Sequence, residues 1–202
     1  MKKYIVKTLL FCLALLMVKA LTSCSRQESF EWGNITNFDF GYSFNCIDLE
    51  LWVSYGFLIR WRDYEIDPYE GGAHFLDSTI SITDLGTNDW ESVIKIRSQQ
   101  LRPEEVEPLR RILEENNTER WLGFVGSAED YPLNFGYLLN VTLDTNSWFT
   151  AWGSGETPEG FAEAFPDMVN FLIDVVLRYA DNPEDLDNVP SIFDVAPHLF
   201  AN

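Results

Sequence analysis

Few side chains in this sequence have both the type and the spacing to do chemistry. The stretch WGSGETPEGF, residues 152–161, puts a glycine-rich turn before a helix N-terminus, a place where free backbone N–H groups can hold a phosphate. No Lys follows the glycines, and Glu156 and Glu159 occupy the positive end of that helix, so the stretch reads as a structural turn. Ser154 lies in Gly-Ser-Gly rather than in the Gly-x-Ser-x-Gly elbow of a nucleophile, and its base would have to be His74 or His198, the only two histidines. Neither histidine has a ligand partner at helical or loop spacing, so no metal is expected. Asp181, Glu184, Asp185 and Asp187 lack the Gly and terminal Glu of a calcium loop and read as a solvated acidic run. Among 32 acidic residues no carboxylate pair stands out for glycoside hydrolysis. No residue is assigned a catalytic role and no cofactor is implied, which points away from an enzyme. What remains is aromatic. Of the seven Trp, Trp52, Trp61 and Trp90 fall beside polar residues and are candidate ligand contacts, able to stack on a sugar ring or anchor a protein.

The N-terminus supplies a different kind of chemistry. Lys2, Lys3 and Lys7 precede an apolar run from Leu9 to Val18, too short for a membrane span and interrupted at Lys19, so it reads as a removable signal. Leu21-Thr22-Ser23-Cys24 follows and resembles the lipobox of bacterial lipoproteins, Bacteroidota-like in its setting. The resemblance implies cleavage before Cys24, diacylation of its thiol with palmitate-class chains and further acylation of the new amino terminus. Each buried methylene contributes about 0.8 kcal/mol, so two or three chains make a firm anchor. In the lipoproteins it resembles, an Asp after the Cys retains the protein at the inner membrane. Here Ser25 stands there, which directs the expectation to the outer membrane. The tether Ser25-Arg26-Gln27-Glu28-Ser29 has no dense acidic run for surface export, which favours the periplasmic face.

Without residues 1–23 the chain keeps 179 residues, 10 of them basic and 32 acidic, a net charge of −22. That is length for one domain with a sizeable core. Its field repels nucleic acid, which is excluded as a partner, and favours a basic protein. Only Cys46 is left once Cys12 departs with the signal and Cys24 is acylated, so no internal disulfide can form. Cys46 has no basic neighbour to lower its pKa and reads as a small buried hydrophobe.

The supporting elements follow from periodicity. Phe38, Phe40, Tyr42 and Phe44 alternate with Asp39, Gly41 and Ser43, the pattern of one strand face, and Leu49, Leu51, Val53, Tyr55 and Phe57 continue it in a second strand. A loop around Asp67–Gly72 separates these from short strands at Ile80–Ile82 and Val93–Ile96. Val106, Leu109, Ile112 and Leu113 mark a helix beginning near Pro108 and ending at Asn116-Asn117. Phe135 to Leu143 and Trp148 to Trp152 form a hairpin. A second helix is expected with Thr157 as N-cap and Pro158 first, its stripe running from Phe161 through Phe165, Met168, Leu172, Val175 and Val176 to Tyr179, with Pro166 a kink or the true start. The expected fold is α+β, a mostly antiparallel sheet with two amphipathic helices packed on one face.

The domain plan is a signal at 1–23, the acylated Cys and tether at 24–29, one domain at 30–181, and an acidic connector and tail at 182–202. The C-terminal half, with ERWLGF, the hairpin and Gly-Ser-Gly, is similar to uncharacterised bacterial domains, which implies topology alone. Asp77-Ser78-Thr79 resembles an O-glycosylation acceptor of Bacteroidota envelope proteins. The function expected is that of a lipid-anchored, non-enzymatic envelope domain binding a protein in an accessory or immunity-type role. A glycan-binding module using exposed aromatics is the alternative.

Overall fold

A computed structural model describes residues 30–62, 72–127 and 135–200, so Cys24 and most of the Asp67–Gly72 loop lie outside the described residues. Trp32–Asn202 forms one compact unit. Strands β1 (Ile35–Cys46), β2 (Leu51–Arg62), β3 (Ala73–Asp84) and β4 (Trp90–Leu101) are followed by helix α1 (Pro103–Glu115). Then come β5 (Phe124–Ser127), β6 (Gly136–Leu143), β7 (Trp148–Ser154), α2 (Phe161–Tyr179) and a short α3 (Ile192–Val195). The strands form one sheet in the order β4-β3-β2-β1-β6-β7-β5, antiparallel throughout except where β5 runs parallel to β7. The protein is α+β with a mostly antiparallel sheet.

The alternation in β1 sets the register. Phe38, Phe40, Tyr42 and Phe44 oppose Ile59, Phe57, Tyr55 and Val53 of β2, and all eight are buried. Their rings stack along and across the strands, with Tyr42 and Tyr55 centroids 4.6 Å apart and nearly parallel. On the β6 side Tyr137, Leu139 and Val141 share this face. Phe165 of α2 meets Phe40 and Tyr42 edge-on at 5.8 and 5.1 Å, and Phe161 lies 4.6 Å from Tyr137. Each such side chain contributes roughly 1.5–3 kcal/mol on full burial, so this aromatic layer is the main source of stability.

Both helix starts differ from the expectation. α1 begins at Pro103, not near Pro108, and carries Pro108 inside it. Pro103 sits where its missing N–H costs nothing, and Pro108 removes a single bond, to the carbonyl of Glu104, both residues lying on the exposed side of the helix. Glu105 secures the start, since its Oε2 accepts from the Arg102 backbone N–H at 2.9 Å. α2 begins at Phe161 rather than after Thr157, because Gly160 takes a left-handed conformation (φ 77°) that interrupts the helix there. β3 and β4 are twelve-residue strands where short ones were expected, and the four-residue β5 is an addition.

One buried carboxylate ties the helices together. Glu105, only 3 % exposed, accepts from Tyr179 Oη at 2.7 Å and from the Arg102 and Arg178 guanidiniums, each at 3.2 Å. Burial alone would raise this carboxyl. The Arg102 side chain, the Arg102 N–H, the Tyr179 hydroxyl and the Arg102 charge outweigh it and hold the pKa at about 2.

Candidate functional site

The sheet has two ends with different chemistry. β1 starts at one end, beside the β6–β7 turn, where Asn34 N–H and Nδ2 donate to the two Asp144 carboxylate oxygens. At the opposite end, called the tip below, β1 turns into β2 through Ile47–Glu50 and β3 turns into β4 through Leu85–Asp89. The two turns are joined, since Leu85 N–H donates to the Glu50 carbonyl at 2.8 Å. Asp84 closes the second turn by accepting from the backbone N–H groups of Gly86 and Thr87, and the Thr87 and Gly86 bonds lower its carboxyl pKa. Residues 187–195 lie alongside, forming with the first turn a groove of about 650 Å³ lined by Cys46, Asp48, Leu49, Asp187, Pro190 and Asp194.

The tip is acidic and apolar at once. Asp48, Glu50, Asp84, Asp89, Glu91, Asp187 and Asp194 are all exposed, and residues 45–52, 83–91 and 187–195 contain no Lys or Arg. Ile47, Leu49, Leu85 and Trp90 are large apolar side chains left exposed among these carboxylates. An apolar centre ringed by one sign of charge is the composition of a protein interface, with the apolar groups supplying affinity and the charges steering association. The sequence reading placed Leu49 in phase with β2. In the structure it stands exposed in the turn, because Glu50 adopts a left-handed conformation (φ 53°) that resets the alternation before Leu51. The signal was present as Ile47-Asp48-Leu49-Glu50, apolar and acidic residues alternating where a turn was due.

The three Trp candidates do not form one site. Trp52 and Trp90 share a row across the sheet, each opposite Thr83 of β3, and so sit on the face turned away from the aromatic layer, about 9.5 Å apart across two strand spacings. Trp52 Nε1 donates to Ser54 Oγ at 3.0 Å, and Trp90 is 61 % exposed. Trp61 lies nine residues from Trp52, at the other end of β2 and on the opposite face, with its ring 4.9 Å from that of His74. Sequence reasoning missed Trp148 and Trp152. The β6–β7 pairing puts Phe149 and Ala151 in the core, which leaves both Trp on the outward face.

A larger cleft, about 870 Å³, opens at the end where β1 starts, between Trp61, His74, Gln100, Val106, Arg110 and Asp144. Its charged groups satisfy one another. Arg110 bridges Glu107 and Glu114, Asp144 is held by Asn34, and His74 Nε2 donates to the Ile35 carbonyl at 2.6 Å. This makes the cleft a weaker candidate than the tip, whose carboxylates have no cation beside them in the segments that build it. Among the described residues, no group of three His, Cys, Asp or Glu side chains could hold a metal ion. Ser78, in the tripeptide that resembles a glycosylation acceptor, is 2 % exposed and donates to the Gly56 carbonyl, so the folded chain does not present it. Comparison with protein-family models, curated proteins and solved structures gives no match.

Proposed function

We propose that this chain is a lipid-anchored protein of the cell envelope, resembling bacterial lipoproteins, whose acidic tip binds a basic protein in an accessory or immunity-type role. The anchor is Cys24, and the location is the periplasmic face of an outer membrane. The observation that carries the binding role is the tip itself, with seven exposed carboxylates, no Lys or Arg in its three segments, and Ile47, Leu49, Leu85 and Trp90 exposed between them. A partner presenting cations around an apolar contact would gain steering from the charge and affinity from the burial. We also infer that α1 and α2 cover the same, aromatic face of the sheet. Supporting this, Phe161 and Phe165 of α2 contact that layer, α1 touches both α2 and β3, and Val106, Leu109 and Leu113 of α1 are buried.

The test is a crosslinking pull-down from native membranes with the full chain, eluted by salt and compared with the triple variant Asp48→Asn/Glu50→Gln/Glu91→Gln. Asp84 is left intact because it closes its turn. One protein eluted by salt from the wild type and reduced tenfold or more with the variant supports the reading. A partner recovered equally from both, at any salt, removes it. A second reading is a glycan stacked on Trp52 and Trp90, favoured by their shared face and row. Its mark is a Trp fluorescence change on glycan addition that persists at high salt.

A further inference from the structure

We propose that the end of the domain opposite the tip is a membrane-seating surface, with Trp148 and Trp61 lying in the headgroup layer of the bilayer that holds the anchor. The proposal rests on the reading of Cys24 as acylated. From Cys24 to Trp32 there are eight residue steps, which reach at most about 29 Å. The described chain then runs directly into β1 at Ile35, with Asn34 fastened to Asp144 in the β6–β7 turn. The tether therefore joins the domain at this edge of the sheet and limits its distance from the bilayer to about 29 Å.

What stands at that edge suits an interface. Trp148 of β7 opposes Thr142, Thr142 opposes Asn37 of β1, and Asn37 opposes Arg60, the residue before Trp61. The two Trp thus flank the start of β1 on opposite faces of the sheet, on strands about 14 Å apart across three strand spacings. Trp148 is 58 % exposed and Trp61 40 % exposed. An indole pairs an apolar body with one N–H donor, the combination enriched where hydrocarbon meets headgroup. Charge does not drive the seating. Arg60, Arg62 and Arg102 belong to this end, but the sequence that joins Arg62 to Gly72 carries four acidic residues and no basic one. Among the described residues no helix is long and apolar enough to cross a membrane.

The experiment uses the purified, acylated full chain in phosphatidylcholine vesicles brominated near the headgroup, with Trp fluorescence as the readout. The expected result is loss of roughly a quarter of the emission, two of seven Trp, at low and high salt alike. The loss shrinks to about a sixth, one of six Trp, in Trp148→Phe and in Trp61→Phe, while Trp90→Phe, altered at the tip, loses about a third, two of six. A wild-type chain that floats with the vesicles but is not quenched overturns the seating and leaves the anchor standing. Quenching unchanged in the Trp148→Phe/Trp61→Phe variant also overturns it. Flotation is scored separately with Cys24→Ala: flotation that survives this change refutes the anchor reading, and a wild-type chain that does not float refutes both.

Discussion

Glu105→Gln is the substitution whose consequence can be worked furthest. The carboxyl has an ordinary value of 4.5 and is held at about 2 in the folded chain. A depressed folded pKa stabilises the fold above the unfolded value and loses that contribution as pH falls from about 4.5 towards about 2. The difference of about 2.5 units corresponds to about 3 kcal/mol at pH 7, falling to roughly 1.5 kcal/mol near pH 3. Solvent does little to reduce the figure on the Glu105 side, because its side chain is almost fully enclosed. Arg102 and Arg178 are about half exposed and regain water when the charge is removed, so the loss stays below that of a wholly buried pair. Glu107, also held at about 2, titrates in both proteins and cancels in the difference. The assay is urea unfolding followed by Trp fluorescence, wild type against variant, at pH 7 and pH 3. A gap of about 2–3 kcal/mol at pH 7 that roughly halves at pH 3 is expected. A gap below 0.5 kcal/mol, or one equal at the two pH values, would refute the assignment of Glu105 as the clamp between α1 and α2.

Other perturbations follow from single features. Gly160→Ala puts a Cβ on a left-handed residue whose nearest neighbour, the Asn116 carbonyl oxygen, is 4.0 Å away, so backbone strain alone should cost about 1 kcal/mol and lower Tm by roughly 2–4 °C by calorimetry. Trp121→Phe removes the Nε1–H bond donated to the Glu159 carbonyl at 2.9 Å from a buried ring, and a loss of about 2 kcal/mol by urea titration is expected. Burial, and then the Asp48 charge, push the Cys46 thiol up, so iodoacetamide should leave it unlabelled in the native protein at neutral pH and label it fully in concentrated guanidinium, as mass spectrometry would show.

Strict alternation made the central strands legible. Phe38, Phe40, Tyr42 and Phe44 leave no other way to bury four aromatic side chains, and their pairing with Val53, Tyr55 and Phe57 follows once a tight turn is placed between them. Two kinds of feature were hidden. Pro108 and Pro166 suggested later helix starts, because sequence rules price a helical proline without knowing that the freed carbonyl can face water. β5 carries only four residues, one of them Gly126, and is specified by its neighbour β7 rather than by its own pattern. The candidate site was legible in its charge but not in its place. That Asp48, Asp84 and Asp187 meet at one end depends on the lengths of β1 to β4 and on where the C-terminal segment packs, neither of which a local pattern encodes.

β1, β2, β3 and β4 each have twelve residues, which at a rise of about 3.3 Å sets the two ends of the sheet roughly 40 Å apart. Electrostatic influence in physiological salt fades over about 8 Å, so the gap is some five screening lengths. For a chain tethered at one end, the sheet is a rigid standoff. On the proposed anchoring, a cationic partner approaching the far end would be drawn by the domain's own carboxylates, beyond the reach of any charge on the lipid surface.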